Sequence, residues 1–180
     1  MKIRLLFSVA LASLLALSCK DTSTNPVEQS HAPVFLESEY LNFAWGYDHS
    51  GWIVDTAGNV ISYDLSKSGV QWTPNATGYY TGEELREKVH HNDTLRGTIS
   101  GDTLQWLNAL VAASVGGTYS DTTHPMADFG TVAFLGYVFD ADSSKYRRVV
   151  LQVYGDYRFY NTASPAIELS AWMSRQHGWW

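Results

Sequence analysis

The chain has 180 residues, 12 of them basic and 18 acidic, for a formal net charge of −6, and it contains one cysteine. An acidic balance without a Lys/Arg cluster argues against nucleic acid or anionic lipid as a partner. One cysteine forms no internal disulfide and no Cys-based metal cage, so the fold rests on its apolar core.

The first element is not part of the fold. Met1-Lys2-Ile3-Arg4 is a basic start, and Leu5 to Leu17 is apolar apart from two serines, which together read as a secretory signal peptide, residues 1–18, removed on export. The apolar run is shorter than the roughly 20 residues a membrane span needs, and no later stretch approaches that length. Leu15-Ala16-Leu17-Ser18-Cys19 resembles the bacterial lipobox, and in this the chain is similar to small bacterial lipoproteins. The resemblance implies that Cys19 is acylated, carries palmitate-type chains and becomes the new N-terminus. Each buried methylene contributes about 0.8 kcal/mol, so such chains hold a protein on a membrane without a spanning helix. Lys20 in place of aspartate implies, by the same resemblance, outer-membrane delivery, and Cys19-Lys20-Asp21 resembles part of a surface-export signal. Loss of Lys2 and Arg4 with the signal leaves 10 basic against 18 acidic residues.

Residues 19–33 then read as the lipidated cysteine and a flexible tether, polar and with two prolines. A single domain over 34–180 follows. Alternation of Leu41, Phe43, Trp45 and Tyr47 predicts a half-buried strand over 40–47. Residues 51–55 and 59–64 flank Thr56-Ala57-Gly58 and predict a β-hairpin. Gln71-Trp72-Thr73 predicts a short edge strand ended by Pro74. Thr81 with Glu84 forms a capping-box pattern ahead of a helix over 83–92. Asp102 with Gln105 opens a second helix, in which Leu104, Leu107, Leu110 and Val111 recur at helical spacing as far as Gly116-Gly117. Residues 129–139 and 147–160 predict a second hairpin around 140–145, its first strand apolar on both faces and therefore central. Ser164-Pro165 begins a last helix, to about Gln176. The expected fold class is α+β: an antiparallel sheet from two hairpin regions, with two central helices and a C-terminal helix packed on one face.

Candidate chemistry is sparse. Glu87-x-x-His90, with His91 nearby, is a weak metal pattern that has no matching ligand pair elsewhere, so it reads as a solvated helix face. Asp140-Ala141-Asp142 opens like a calcium loop, but Lys145 stands where glycine is needed and Leu151 where the glutamate belongs, leaving a polar turn. No nucleophile elbow or phosphate loop is present. His49 beside Asp48, Ser50 and Asp55 is the best local candidate for nucleophilic catalysis, and a dispersed hydrolase site would centre on His49, Asp55 and Asp64. Four Asp-Thr motifs, at Thr56, Thr94, Thr103 and Thr122, resemble the O-glycosylation sequon of one group of Gram-negative bacteria; Asp-Thr also suits turns and helix starts. Aromatic residues are in excess, at seven Trp, eleven Tyr and seven Phe, and Trp179-Trp180 at the end of the chain read as a fold-back or a partner site. The expectation is therefore a membrane-tethered envelope lipoprotein without a cofactor. Its domain is a non-catalytic module for a protein or glycan, with an envelope hydrolase around His49 and Asp55, or a structural lipoprotein of an envelope assembly, as the alternatives.

Overall fold

The computed structural model describes residues 35–89 and 94–176. They form an α+β fold with a mostly antiparallel eight-stranded sheet and three helices. In chain order the elements are β1 (Leu36–Asn42), β2 (Asp48–Val54), β3 (Asn59–Asp64), β4 (Tyr79–Tyr80), α1 (Gly82–Val89), β5 (Thr94–Thr98), α2 (Gly101–Ser114), β6 (Thr131–Asp140), β7 (Lys145–Gly155), β8 (Phe159–Tyr160) and α3 (Ser164–Met173). The sheet order is β4-β7-β6-β1-β2-β3-β5, with β8 also pairing β7.

Both expected hairpins form, each closed by local turn chemistry. Asp55 Oδ1 accepts hydrogen bonds from the amides of Ala57 and Asn59 at 2.9 and 2.8 Å, and Gly58 takes the left-handed conformation at φ 86°. Asp140 Oδ1 accepts from the amide of Asp142 at 3.0 Å in the β6–β7 turn. The expected strand over 40–47 ends instead at Asn42. There the Asn42 side chain accepts from the amide of Ala44 at 2.8 Å, and Gly46 adopts φ 121°. Residues 43–46 are thus a turn whose alternating aromatics imitate a strand. Gln71–Thr73 does not pair either. The outer edge of β7 is taken by Tyr79 and Tyr80, opposite Arg147 and Tyr146.

The helix starts follow capping rules. At α1 the box is reciprocal: Thr81 Oγ1 accepts from the amide of Glu84 at 3.1 Å, and Glu84 Oε2 accepts from the amide of Thr81 at 2.6 Å. Thr81→Ala is expected to lower stability by about 1 kcal/mol in urea unfolding, whereas a change below about 0.3 kcal/mol would mean that α1 is held by packing alone. At α2 the cap is Ser100 rather than Asp102, with Ser100 Oγ accepting from the amide of Thr103 at 3.3 Å.

Helices cover both faces of the sheet, not one. Leu36, Trp52, Val54 and Phe134 face Leu107 and Val111 of α2 and Leu169 and Met173 of α3. Ile53, Tyr63, Leu135 and Tyr137 point the other way, against Leu85 of α1 and the Leu65 and Tyr80 side chains of the long connection before it. Strands with apolar residues on both sides need cover on both sides. The exposed edge strand β5 is blunted: its register against β3 shifts between Val60 and Ile61, and Arg96 donates from Nε to Ser62 Oγ at 2.7 Å.

β1 runs through the middle of the sheet between β6 and β2. Its first end lies where the Phe35 amide meets the Val54 carbonyl at 2.7 Å, next to the β2–β3 turn. Its other end, roughly 23 Å away at about 3.3 Å per residue, leads into the 43–46 turn.

Candidate functional site

Two features carry unusual chemistry, one buried and one exposed. The buried one begins on β1, where period-2 geometry puts Glu37 and Glu39 on the same face. Because β1 is central, both are buried. Two carboxylates in such a place are strongly unfavourable unless paired and hydrogen-bonded. Lys88 supplies the countercharge. It lies three residues after Leu85 on α1, so both face the sheet, and it is buried as well. Its Nζ is 2.6 Å from Glu37 Oε1, 2.6 Å from Glu39 Oε1 and 3.8 Å from the centre of the Trp72 ring. Tyr63 of β3 donates to Glu37 Oε1 at 2.5 Å, and Tyr137 of β6 donates to Glu37 Oε2 at 2.6 Å.

His49 of β2 completes the cluster. Its Nε2 is 2.8 Å from Glu39 Oε1 and its Nδ1 is 2.8 Å from the Tyr47 hydroxyl, which itself accepts from the Trp72 amide at 3.2 Å. A neutral imidazole with its proton on Nε2 satisfies every one of these groups: Nε2–H donates to Glu39, and the Tyr47 hydroxyl donates to Nδ1.

The electrostatics follow from this packing. Burial alone would raise the Glu39 carboxyl, but the charge of Lys88 and the hydrogen bond from His49 outweigh it and lower its pKa to about 2. Burial alone would lower the Lys88 ammonium, but Glu37 and Glu39 together raise it. Tyr63 and Tyr137 are pushed well above the usual phenol value by burial and then by the charge of Glu37, so both remain donors. The carboxylates, the ammonium and the imidazole are thus committed to one another. The arrangement fastens α1 and the Leu65–Tyr80 connection to the sheet.

The sequence-predicted residues fall in several places. His49 meets Glu39 and Tyr47; Asp55 serves the β2–β3 turn, and Asp64 Oδ1 accepts from the amide of Ser66 at 2.9 Å. Glu87 is exposed on α1, while His90 and His91 lie outside the described residues, as do Cys19, Trp179 and Trp180. Thr56, Thr94 and Thr122 are exposed. Thr103 is half-buried, its hydroxyl 2.9 Å from that of Ser100. Sequence reasoning passed over Glu37, Glu39 and Lys88. The available signal was a pair of glutamates directly after the apolar Val34-Phe35-Leu36, with a lysine at i+3 from an apolar helix position.

The exposed feature is the end of the sheet reached by the far end of β1. Phe43, Trp45 and Phe129 are 63%, 85% and 69% exposed, and Tyr157 is half exposed. Their loops are pinned to one another. The Tyr40 hydroxyl donates to the Phe129 carbonyl at 3.1 Å, and Asn42 Nδ2 donates to the Tyr40 hydroxyl at 3.1 Å and to the Asp128 carbonyl at 3.4 Å. Asp156 accepts from the amides of Phe129 and Gly130 at 2.9 and 3.1 Å. The polar side chains beneath the rings therefore build the loops, and the rings face outward. Comparison of the chain with family models, with curated proteins and with solved structures finds no match in any of the three.

Proposed function

We propose that this protein is an envelope lipoprotein, held on the outer membrane by acyl chains on Cys19, whose domain is a non-catalytic module that docks a protein partner. The observation that carries this reading is the group of exposed rings, Phe43, Trp45, Phe129 and Tyr157, on pinned loops at the end of the sheet away from Phe35. A tether ending near residue 33 joins the domain at the opposite end, so the rings face away from that attachment. Large apolar rings on ordered loops lose little entropy on docking and are the side chains that dominate protein interfaces. Asn42 and Asp156 already bond to their own loops, so the surface offers ring faces more than hydrogen-bonding side chains, which suits a protein better than a sugar. Exposed Asp48 and Asp128, with exposed Arg158 next to Tyr157, give the rings a rim of mixed charge.

A photo-crosslinking amino acid at position 45 or 129 of the full, membrane-anchored chain, in the cells that make it, should trap one discrete protein adduct. The same probe at Ser143, in the β6–β7 turn at the other end, should not. Phe43→Ala with Phe129→Ala should remove the position-45 adduct while shifting stability by no more than about 0.5 kcal/mol, as for other surface changes. Equal adducts from positions 45 and 143, or none from either ring position, would overturn the proposal.

A further inference from the structure

A second site lies on the face covered by α3 and shares no residue with the ring group. The β6–β7 register shifts between Phe134 and Leu135, so that Gln152 pairs with Phe134 and Val150 with Leu135, leaving Leu151 as an extra residue in β7. Next to this bulge Gln152 stands opposite Tyr160 of β8. Across from them α3 presents Ile167, Ser170 and Ser174, which share one helix face at i, i+3 and i+7. A cavity of about 440 Å³ lies between the two walls, with Leu151, Gln152, Tyr160, Ile167, Ser170 and Ser174 among its lining.

Three properties of this cavity define what fits it. Among the described residues no charged side chain lines it, so an ion would find no countercharge there. Half-exposed Tyr160 and Ile167 supply a flat apolar surface. Ser170 is 5% exposed and its Oγ has no hydrogen-bond partner among the described residues, an unfavourable state for a buried hydroxyl. The half-buried Gln152 amide lies on the same wall as Tyr160. Asn161, also in the lining, is already engaged, donating to the Ser114 carbonyl at 2.9 Å and accepting from the Ala163 amide at 3.0 Å, so it shapes the cavity.

We infer that this cavity binds an uncharged saccharide of one or two rings. Such a molecule has a C–H face to lie on Tyr160 and Ile167, hydroxyls that pair with Ser170 and Gln152, and no charge to desolvate. The volume falls within the roughly 300–1,000 Å³ usual for small-molecule sites. This inference uses none of the residues of the aromatic end and stands or falls separately from the docking proposal.

The test is saturation-transfer NMR on the mature lipoprotein in nanodiscs, with glucose, N-acetylglucosamine, maltose and cellobiose as probes and glucuronate as the charged control. At least one neutral sugar should give transfer to its ring C–H protons, and glucuronate should give little. Tyr160→Ala should weaken binding about tenfold, the equivalent of 1.4 kcal/mol, by removing the stacking surface. Ser170→Ala should weaken binding several-fold while leaving thermal stability equal or higher, because it removes an unpaired buried hydroxyl; a purely structural serine would not separate these two readouts. Silence from all four sugars, binding unchanged by both substitutions, or binding lost instead in Phe43→Ala with Trp45→Ala would overturn the inference.

Discussion

Lys88→Ala is expected to lower folding stability by about 3–5 kcal/mol. Lys88 is buried, and its Nζ is the cation between Glu37 and Glu39, 2.6 Å from each. Removing it leaves two carboxylates in the same buried space, with Tyr63, Tyr137 and His49 as hydrogen-bond donors but no countercharge. Combining Lys88→Met with Glu37→Gln and Glu39→Gln should recover most of that loss, because a buried ion network is replaced at little net cost once all its charges go together. Urea unfolding of the single and triple variants measures both quantities. A loss below about 1 kcal/mol for Lys88→Ala would mean that water reaches the carboxylates and that the cluster does not hold α1 down.

The same cluster sets an expected pH profile. Glu39 titrates at about 2 in the folded protein, against 4.5 for an ordinary glutamate. A carboxylate lowered by folding contributes stability that is present above the ordinary value and is lost as pH falls through the folded one. The domain should therefore hold its stability down to about pH 4.5 and then lose the contribution of Glu39 progressively as pH falls toward 2. The sign reverses at the alkaline end. Lys88, Tyr63 and Tyr137 are all raised by folding, so their contributions are full below their ordinary values and are lost as pH climbs past about 10. Glu39→Gln should flatten the acid limb while lowering stability at neutral pH, measured by urea unfolding from pH 2 to 12. An acid limb unchanged in Glu39→Gln would show that other carboxylates govern it.

Local chemistry in the sequence was a good guide to most features that are decided locally, the α2 cap, which is Ser100 and not Asp102, being the exception. The Thr81–Glu84 cap, the Gly58 hairpin and the Asp140 turn each depend on residues within four positions of one another, and all are found. β6 reads as central because both its faces are apolar, and it lies between β1 and β7. That same observation already implied cover on both faces of the sheet, which one layer of helices cannot supply. Misreadings arose where a pattern had two physical causes. Phe43 and Trp45 alternate like strand residues, yet Asn42 and Gly46 turn the chain there. β5, Thr94–Thr98, carries four exposed residues of five and so shows no apolar alternation. Glu37 and Glu39 look like the solvent side of a strand, and only contact with Lys88, 49 positions from Glu39, makes their burial tolerable. Neither partner signals the other from a distance along the chain. The Ser170 cavity was hidden for the same reason, since its walls come from β7, β8 and α3.

The course of β1 has a mechanical consequence. A load applied through the segment before Phe35 acts along the axis of β1, which is hydrogen-bonded to β2 on one side and to β6 on the other. Force in that direction shears both ladders at once rather than opening one bond after another. A pull on the 43–46 turn at the far end of the strand would act along nearly the same line. Forced unfolding, which is governed by the unfolding rate, should therefore be slow when the pull enters at residue 35 and faster when it enters at the β5 edge.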